Sequence, residues 1–69
     1  AGRMRERFLL SDRETEVLAL YLLGYTQEKI AGELFLSPGT VHTYIKRIYG
    51  KTNFHSRQDA LDYIERYAD

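Results

Sequence analysis

Apolar residues recur along this chain at intervals of three and four, the spacing that places them on one face of a helix. Punctuation residues divide the pattern into helices predicted over about 11–23, 26–34, 37–52 and 56–67. The first opens on Ser11-Asp12-Arg13-Glu14, the spacing of a capping box. Val17, Leu18, Tyr21 and Leu22 form its inward stripe, Leu20 and Leu23 broaden it, and Gly24 stands where a left-handed cap ends a helix. The second has Thr26 as its N-cap, with Tyr25 and Ile30 at the hydrophobic-staple positions and Ile30, Ala31 and Leu34 pointing inward. The third starts at Ser37, and Pro38 takes the first helical position, where a missing N–H costs nothing. Val41, Ile45, Ile48 and Thr52 line one side of it, and Asn53 is the expected left-handed terminator. On the other side, Gly39, His42, Thr43, Lys46 and Gly50 fall within an arc of about 100°. The fourth starts at Ser56, with Asp59 completing a box-like cap and Ala60, Leu61, Ile64 and Ala68 as its stripe. Tyr63 falls opposite that stripe, among Asp59, Asp62 and Arg66.

No alternation of period two survives over four residues, so an all-α domain is expected, over residues 10–69. Residues 1–9 show no period and are expected to be a flexible arm or linker. The second and third helices are separated only by Phe35 and Leu36. So short a turn forces a steep crossing, the arrangement of a helix-turn-helix. The first and fourth helices would then cover the inner faces and leave the polar side of the third projecting.

Composition narrows the chemistry. A chain of 69 residues has no room for both a core and a deep catalytic cleft. It has no cysteine, and its two histidines lie far apart in sequence, so no metal set or other cofactor is expected. Glu14 and Glu16 are two apart on a helix and do not face each other, which removes the one carboxylate pair an enzyme might use. No run approaches the length of a membrane span, and no segment is laid out as a signal peptide. Lysine plus arginine equals aspartate plus glutamate, ten of each. The charge is nonetheless segregated. Leu34 to Gln58 contains no acid and carries Lys46, Arg47, Lys51 and Arg57, while the residues before it sum to −1 and those after to −3. A basic helix inside a neutral chain is a surface suited to an anion, and DNA is the obvious candidate.

Four segments carry a family resemblance. They are Leu10-Ser11-Asp12-Arg13-Glu14-Thr15-Glu16-Val17-Leu18, Gly24-Tyr25-Thr26-Gln27-Glu28-Lys29-Ile30-Ala31, Leu36-Ser37-Pro38-Gly39-Thr40-Val41-His42-Thr43-Tyr44 and Lys51-Thr52-Asn53-Phe54-His55-Ser56-Arg57. In that order they resemble the LuxR-type (GerE-like) DNA-binding domain, from Leu10 to about Ile64. The resemblance implies a four-helix domain whose third helix reads a double-stranded DNA operator. Carried over by position, it puts base reading on His42, Thr43 and Lys46. It puts backbone contacts on Thr40, Tyr44, Arg47 and Lys51, with Gln27 and Lys29 near the start of the second helix. Arg57 reads equally as a phosphate contact or as a local cap paired with acids. A homodimer through the fourth helix, with Tyr63 as a candidate contact, is also implied. So are RNA polymerase as a partner, a sensor domain upstream and a cytoplasmic location for the DNA-binding portion. The chain differs from many members in having His42 where lysine is common, Tyr44 where histidine is, Thr52 in place of leucine and Gly50 inside the third helix.

Two rival readings are region four of a sigma factor, which shares the helix-turn-helix, and a small helical module that binds a protein through its last helix. The Lys51 to Arg57 segment and the defined fourth helix favour the LuxR-type reading over the sigma factor. A steep salt dependence of binding to duplex DNA separates it from the protein-binding module.

Overall fold

The computed structural model describes residues 2–67, with side chains from residue 5 onward. It contains five helices: α1 (Gly2–Phe8), α2 (Asp12–Leu22), α3 (Gln27–Leu34), α4 (Pro38–Thr52) and α5 (Arg57–Tyr67). Among the described residues all regular structure is helical.

The caps form where the sequence puts them. Ser11 Oγ accepts from the Glu14 amide at 3.1 Å, and the Ser11 amide donates to Glu14 Oε1 at 2.7 Å. Thr26 Oγ1 accepts from the Lys29 amide, and Ser37 Oγ from the Thr40 amide, each at 3.1 Å. These bonds satisfy amides that the first turn of a helix otherwise leaves without a partner. Gly24 turns the chain out of α2 at φ +97°, and Asn53 ends α4 at φ +62°. The last cap also forms at Ser56, and only its return bond is shifted by one residue. The Asp59 amide donates to Ser56 Oγ at 3.2 Å, but the Asp59 carboxylate reaches back to the His55 amide, at 2.7 Å.

The core is built from Val17 and Leu18 of α2, Ile30 and Ala31 of α3, and Val41, Ile45 and Ile48 of α4, closed by Leu10 and Ala60. Burying Val17, Ile30, Val41 and Ile48 contributes about 1.5–3 kcal/mol for each side chain. Ala31, small and buried, lets α4 approach α3 closely. Phe35 and Leu36 join these two helices, and both helices pack on α2. The result is the helix-turn-helix with α2 behind it. Phe35 makes the turn in the left-handed region at φ +58°, with its side chain 95% exposed. The Leu36 amide closes the turn on Ala31 O at 2.9 Å.

The structure differs from expectation in three places. Within the stretch expected to be a flexible arm or linker, Gly2–Phe8 is helical. Phe8 packs edge-on against Phe54 and Tyr63 at centroid distances of 5.7 and 5.3 Å, and the Leu10 amide donates to Arg5 O. A helix of two turns is too short to show a period, and tertiary contact holds this one. Leu23 does not broaden the α2 stripe; it is the C-cap residue and is 73% exposed. In α5 only Ala60 of the predicted stripe is buried, while Leu61 and Ile64 are each 36% exposed. The inward face is rotated so that Tyr63, not Ile64, meets Phe8 and Phe54. Ala68 lies outside the described residues.

Candidate nucleic-acid interface

The core face of α4 orients everything on its other side. With Val41, Ile45 and Ile48 fixed inward, His42, Thr43, Lys46 and Arg47 are exposed, together with Gly39 and Gly50. The structure therefore brings the three expected base-reading residues onto one open surface. Thr43 Oγ1 donates back to Gly39 O at 3.1 Å, which uses its proton and leaves the oxygen lone pairs and the methyl group as its outward chemistry. Ser37 and Thr40 hydroxyls bond each other at 2.9 Å beside the N-terminus of α4. Among the described residues no ion pair engages Lys46 or Arg47, so both charges are uncompensated. The Arg47 guanidinium lies 5.9 Å from the centroid of the half-buried Tyr44 ring.

A second group lies at the start of α3. Gln27 is half-buried and Lys29 exposed, and the Lys29 ammonium sits 5.3 Å from the Tyr25 ring centroid. Free amides at a helix N-terminus and a nearby lysine are a combination suited to phosphate.

Lys51, which the resemblance assigns to a DNA-backbone contact, is already engaged within the domain. Its Nζ donates to Glu14 Oε1 at 2.7 Å and to Leu9 O at 3.0 Å. The Glu14 side chain is 4% exposed and the Lys51 side chain 40%. Burial pushes the Glu14 carboxyl up, but hydrogen bonds from Lys51 and from the Ser11 amide and hydroxyl outweigh it and hold the group below the usual carboxylate range. Glu14 is thus both the cap of α2 and the buried partner that ties α4 to the α1–α2 corner. The two residues stand far apart in sequence, so no local spacing could have revealed the pair.

Arg57 is placed by an aromatic ring. Its guanidinium stacks 4.4 Å from the Tyr21 ring centroid, and its Nε is buried with no hydrogen-bond partner. Neither an acid nor a cap holds it among the described residues, which corrects that half of the expectation. Tyr21 in turn bonds the Tyr49 hydroxyl at 3.0 Å, linking α2 to α4. Burial, reinforced by that hydrogen bond, pushes the Tyr49 hydroxyl up to about 12. Helical spacing places Tyr21 only on the inward stripe of α2, and a ring's use as a shelf for a cation leaves no spacing signal.

Tyr63 is also corrected. It is half-buried, with Phe8, Phe54 and Tyr67 around it, rather than exposed opposite an apolar stripe. Among the described residues no group of histidine, cysteine and acid could hold a metal ion, and no helix is long and apolar enough to cross a membrane.

The comparison with known proteins agrees with this geometry. No solved structure matches the chain significantly. The model of the GerE family, described as bacterial regulatory proteins of the luxR family, matches residues 9–64, from the end of α1 into α5. With a capped helix-turn-helix presenting an acid-free outer face over that same span, the chain belongs to the luxR family of bacterial regulatory proteins, and its fold is that family's DNA-binding domain.

Proposed function

We propose that this domain binds double-stranded DNA in a sequence-specific manner, as the output domain of a bacterial transcription regulator, with α4 lying in the major groove. The observation that carries this reading is the open, acid-free outer face of α4, set rigidly by the buried face behind it. A helix fits the major groove by size, and the second helix of such a pair is the one that enters it. His42, Thr43 and Lys46 would then face base edges. The Thr43 methyl suits a thymine methyl, and Lys46 suits the acceptors of guanine. Thr40, Tyr44 and Arg47 of α4, Gln27 and Lys29 of α3, and Arg57 of α5 would meet the sugar-phosphate backbone and fix the register. Zero net charge leaves little long-range attraction. Weak binding by one copy is therefore expected, with pairing of two copies on a two-fold operator. Helix α5 is the candidate for that pairing, through the half-exposed Leu61 and Ile64 and beside Tyr63. RNA polymerase, an upstream sensor domain and a cytoplasmic setting complete the reading.

The test is a salt titration on duplex DNA followed by selection of bound sequences from a random pool. The log of the affinity should fall steeply and linearly with the log of salt concentration. The selected sites should share a motif repeated about a two-fold axis. Absence of a salt slope would refute DNA binding, and a flat selected pool would refute sequence specificity.

A further inference from the structure

Three of the cations assigned above to the DNA backbone each lie over a tyrosine ring. Lys29 is 5.3 Å from the centroid of Tyr25, Arg47 is 5.9 Å from that of Tyr44, and Arg57 is 4.4 Å from that of Tyr21. All three rings are half-buried and packed against the core, so each is a fixed platform under its cation. The cations come from three helices, α3, α4 and α5, and the rings from α2, the α2–α3 turn and α4. For Lys29 the ordinary helical partner would be Glu33, one turn on, yet the ammonium lies over Tyr25.

The distinction matters because of charge. A carboxylate that holds a cation also neutralises it. An aromatic face holds it through its quadrupole and leaves its full charge available. A lysine or arginine free in solution loses rotamer freedom when it meets a phosphate. One already resting on a ring has lost part of that freedom beforehand. We propose that Tyr21, Tyr25 and Tyr44 are positioning residues for phosphate contact: they hold Arg57, Lys29 and Arg47 in place without neutralising them. This rests on the DNA-binding reading above and adds to it which residues aim the backbone contacts.

The experiment is equilibrium binding of random-sequence duplex DNA by the whole chain, at several salt concentrations, with thermal melting of each variant alongside. Tyr25→Phe keeps the ring and should bind as wild type. Tyr25→Leu should bind about two- to tenfold more weakly, the cost of one newly immobilised side chain, yet keep the wild-type salt slope because Lys29 keeps its charge. Lys29→Gln should weaken binding and reduce the slope by about one. Combining Tyr25→Leu with Lys29→Gln should add nothing to Lys29→Gln alone. Should Tyr25→Leu fail to melt cooperatively, Tyr44→Leu read against Tyr44→Phe, which removes only the hydroxyl that would itself meet the DNA backbone, repeats the test on α4 with Arg47→Gln. If Lys29→Gln weakens binding while Tyr25→Leu does not, the positioning role is overturned. It is equally overturned if the Tyr25→Leu loss persists in full without Lys29, since the ring would then act through the fold. If wild type shows no salt-dependent binding, the DNA reading fails; if it binds but neither Lys29→Gln nor Arg47→Gln weakens it, the positioning role is overturned while the DNA reading stands.

Discussion

Glu14 and Lys51 form the most consequential pair of residues in the molecule. Removing Lys51 leaves a carboxylate that is 4% exposed without its charge partner. Lys51→Met is therefore expected to destabilise the domain by roughly 2–3 kcal/mol, below the range for fully buried pairs because the lysine is partly solvated. The pair also sets a pH dependence. A carboxyl held below its ordinary range in the folded state stabilises the fold above the unfolded value and loses that contribution as pH falls through the folded one. Thermal melts of wild type and Glu14→Gln should thus differ at neutral pH and converge in acid. A gap that stays constant down to acid pH would count against the ionic role. At this scale the sequence was only half legible. Ser11 and Glu14 announce the cap through local spacing. Nothing local announces that the same glutamate faces Lys51, or that Arg57 rests on Tyr21, because those contacts exist only once the helices are assembled.

The elements were far more legible, since their ends depend on near neighbours. Ser11, Thr26, Ser37 and Asn53 do what their side chains dictate, and Gly24 what its missing Cβ permits. The structure departs from the sequence pattern where long-range packing decides: α1, held by Phe8, and α5, rotated by the aromatic group around Tyr63. Two substitutions test the element-level picture. Phe35 occupies the left-handed region with an almost fully exposed ring, so Phe35→Gly should raise stability by about 1 kcal/mol by removing the steric cost of its Cβ. A Cβ on Gly50 would meet nothing within 4 Å. Gly50→Ala should therefore stabilise α4 by about 0.5–1 kcal/mol. Chemical denaturation measures both, and a loss of stability in either would contradict the local geometry described. If Gly50→Ala also weakens DNA binding, the glycine serves close approach to the duplex as well.

For the whole molecule, zero net charge conceals an ordered distribution. The helix that points outward, α4, carries Lys46, Arg47 and Lys51 and no acid, whereas every other helix carries at least one acid. The absence of acids on α4 leaves nothing there to repel phosphate, which matters as much as the few bases it carries. The helix-turn-helix and its outward face could be read from the sequence because one periodicity fixes both the buried and the exposed sides of α4. The corner where α1 meets α4 and α5 could not, because it is made of residues from the two ends of the chain. The most direct test of the central claim, that the outer face of α4 reads DNA, is the affinity of wild type and Lys46→Ala for a selected site and its single-base variants at equal salt. The expected result is a loss of about 1–3 kcal/mol for Lys46→Ala, with discrimination flattened at one base position. Unchanged affinity and unchanged discrimination would contradict it.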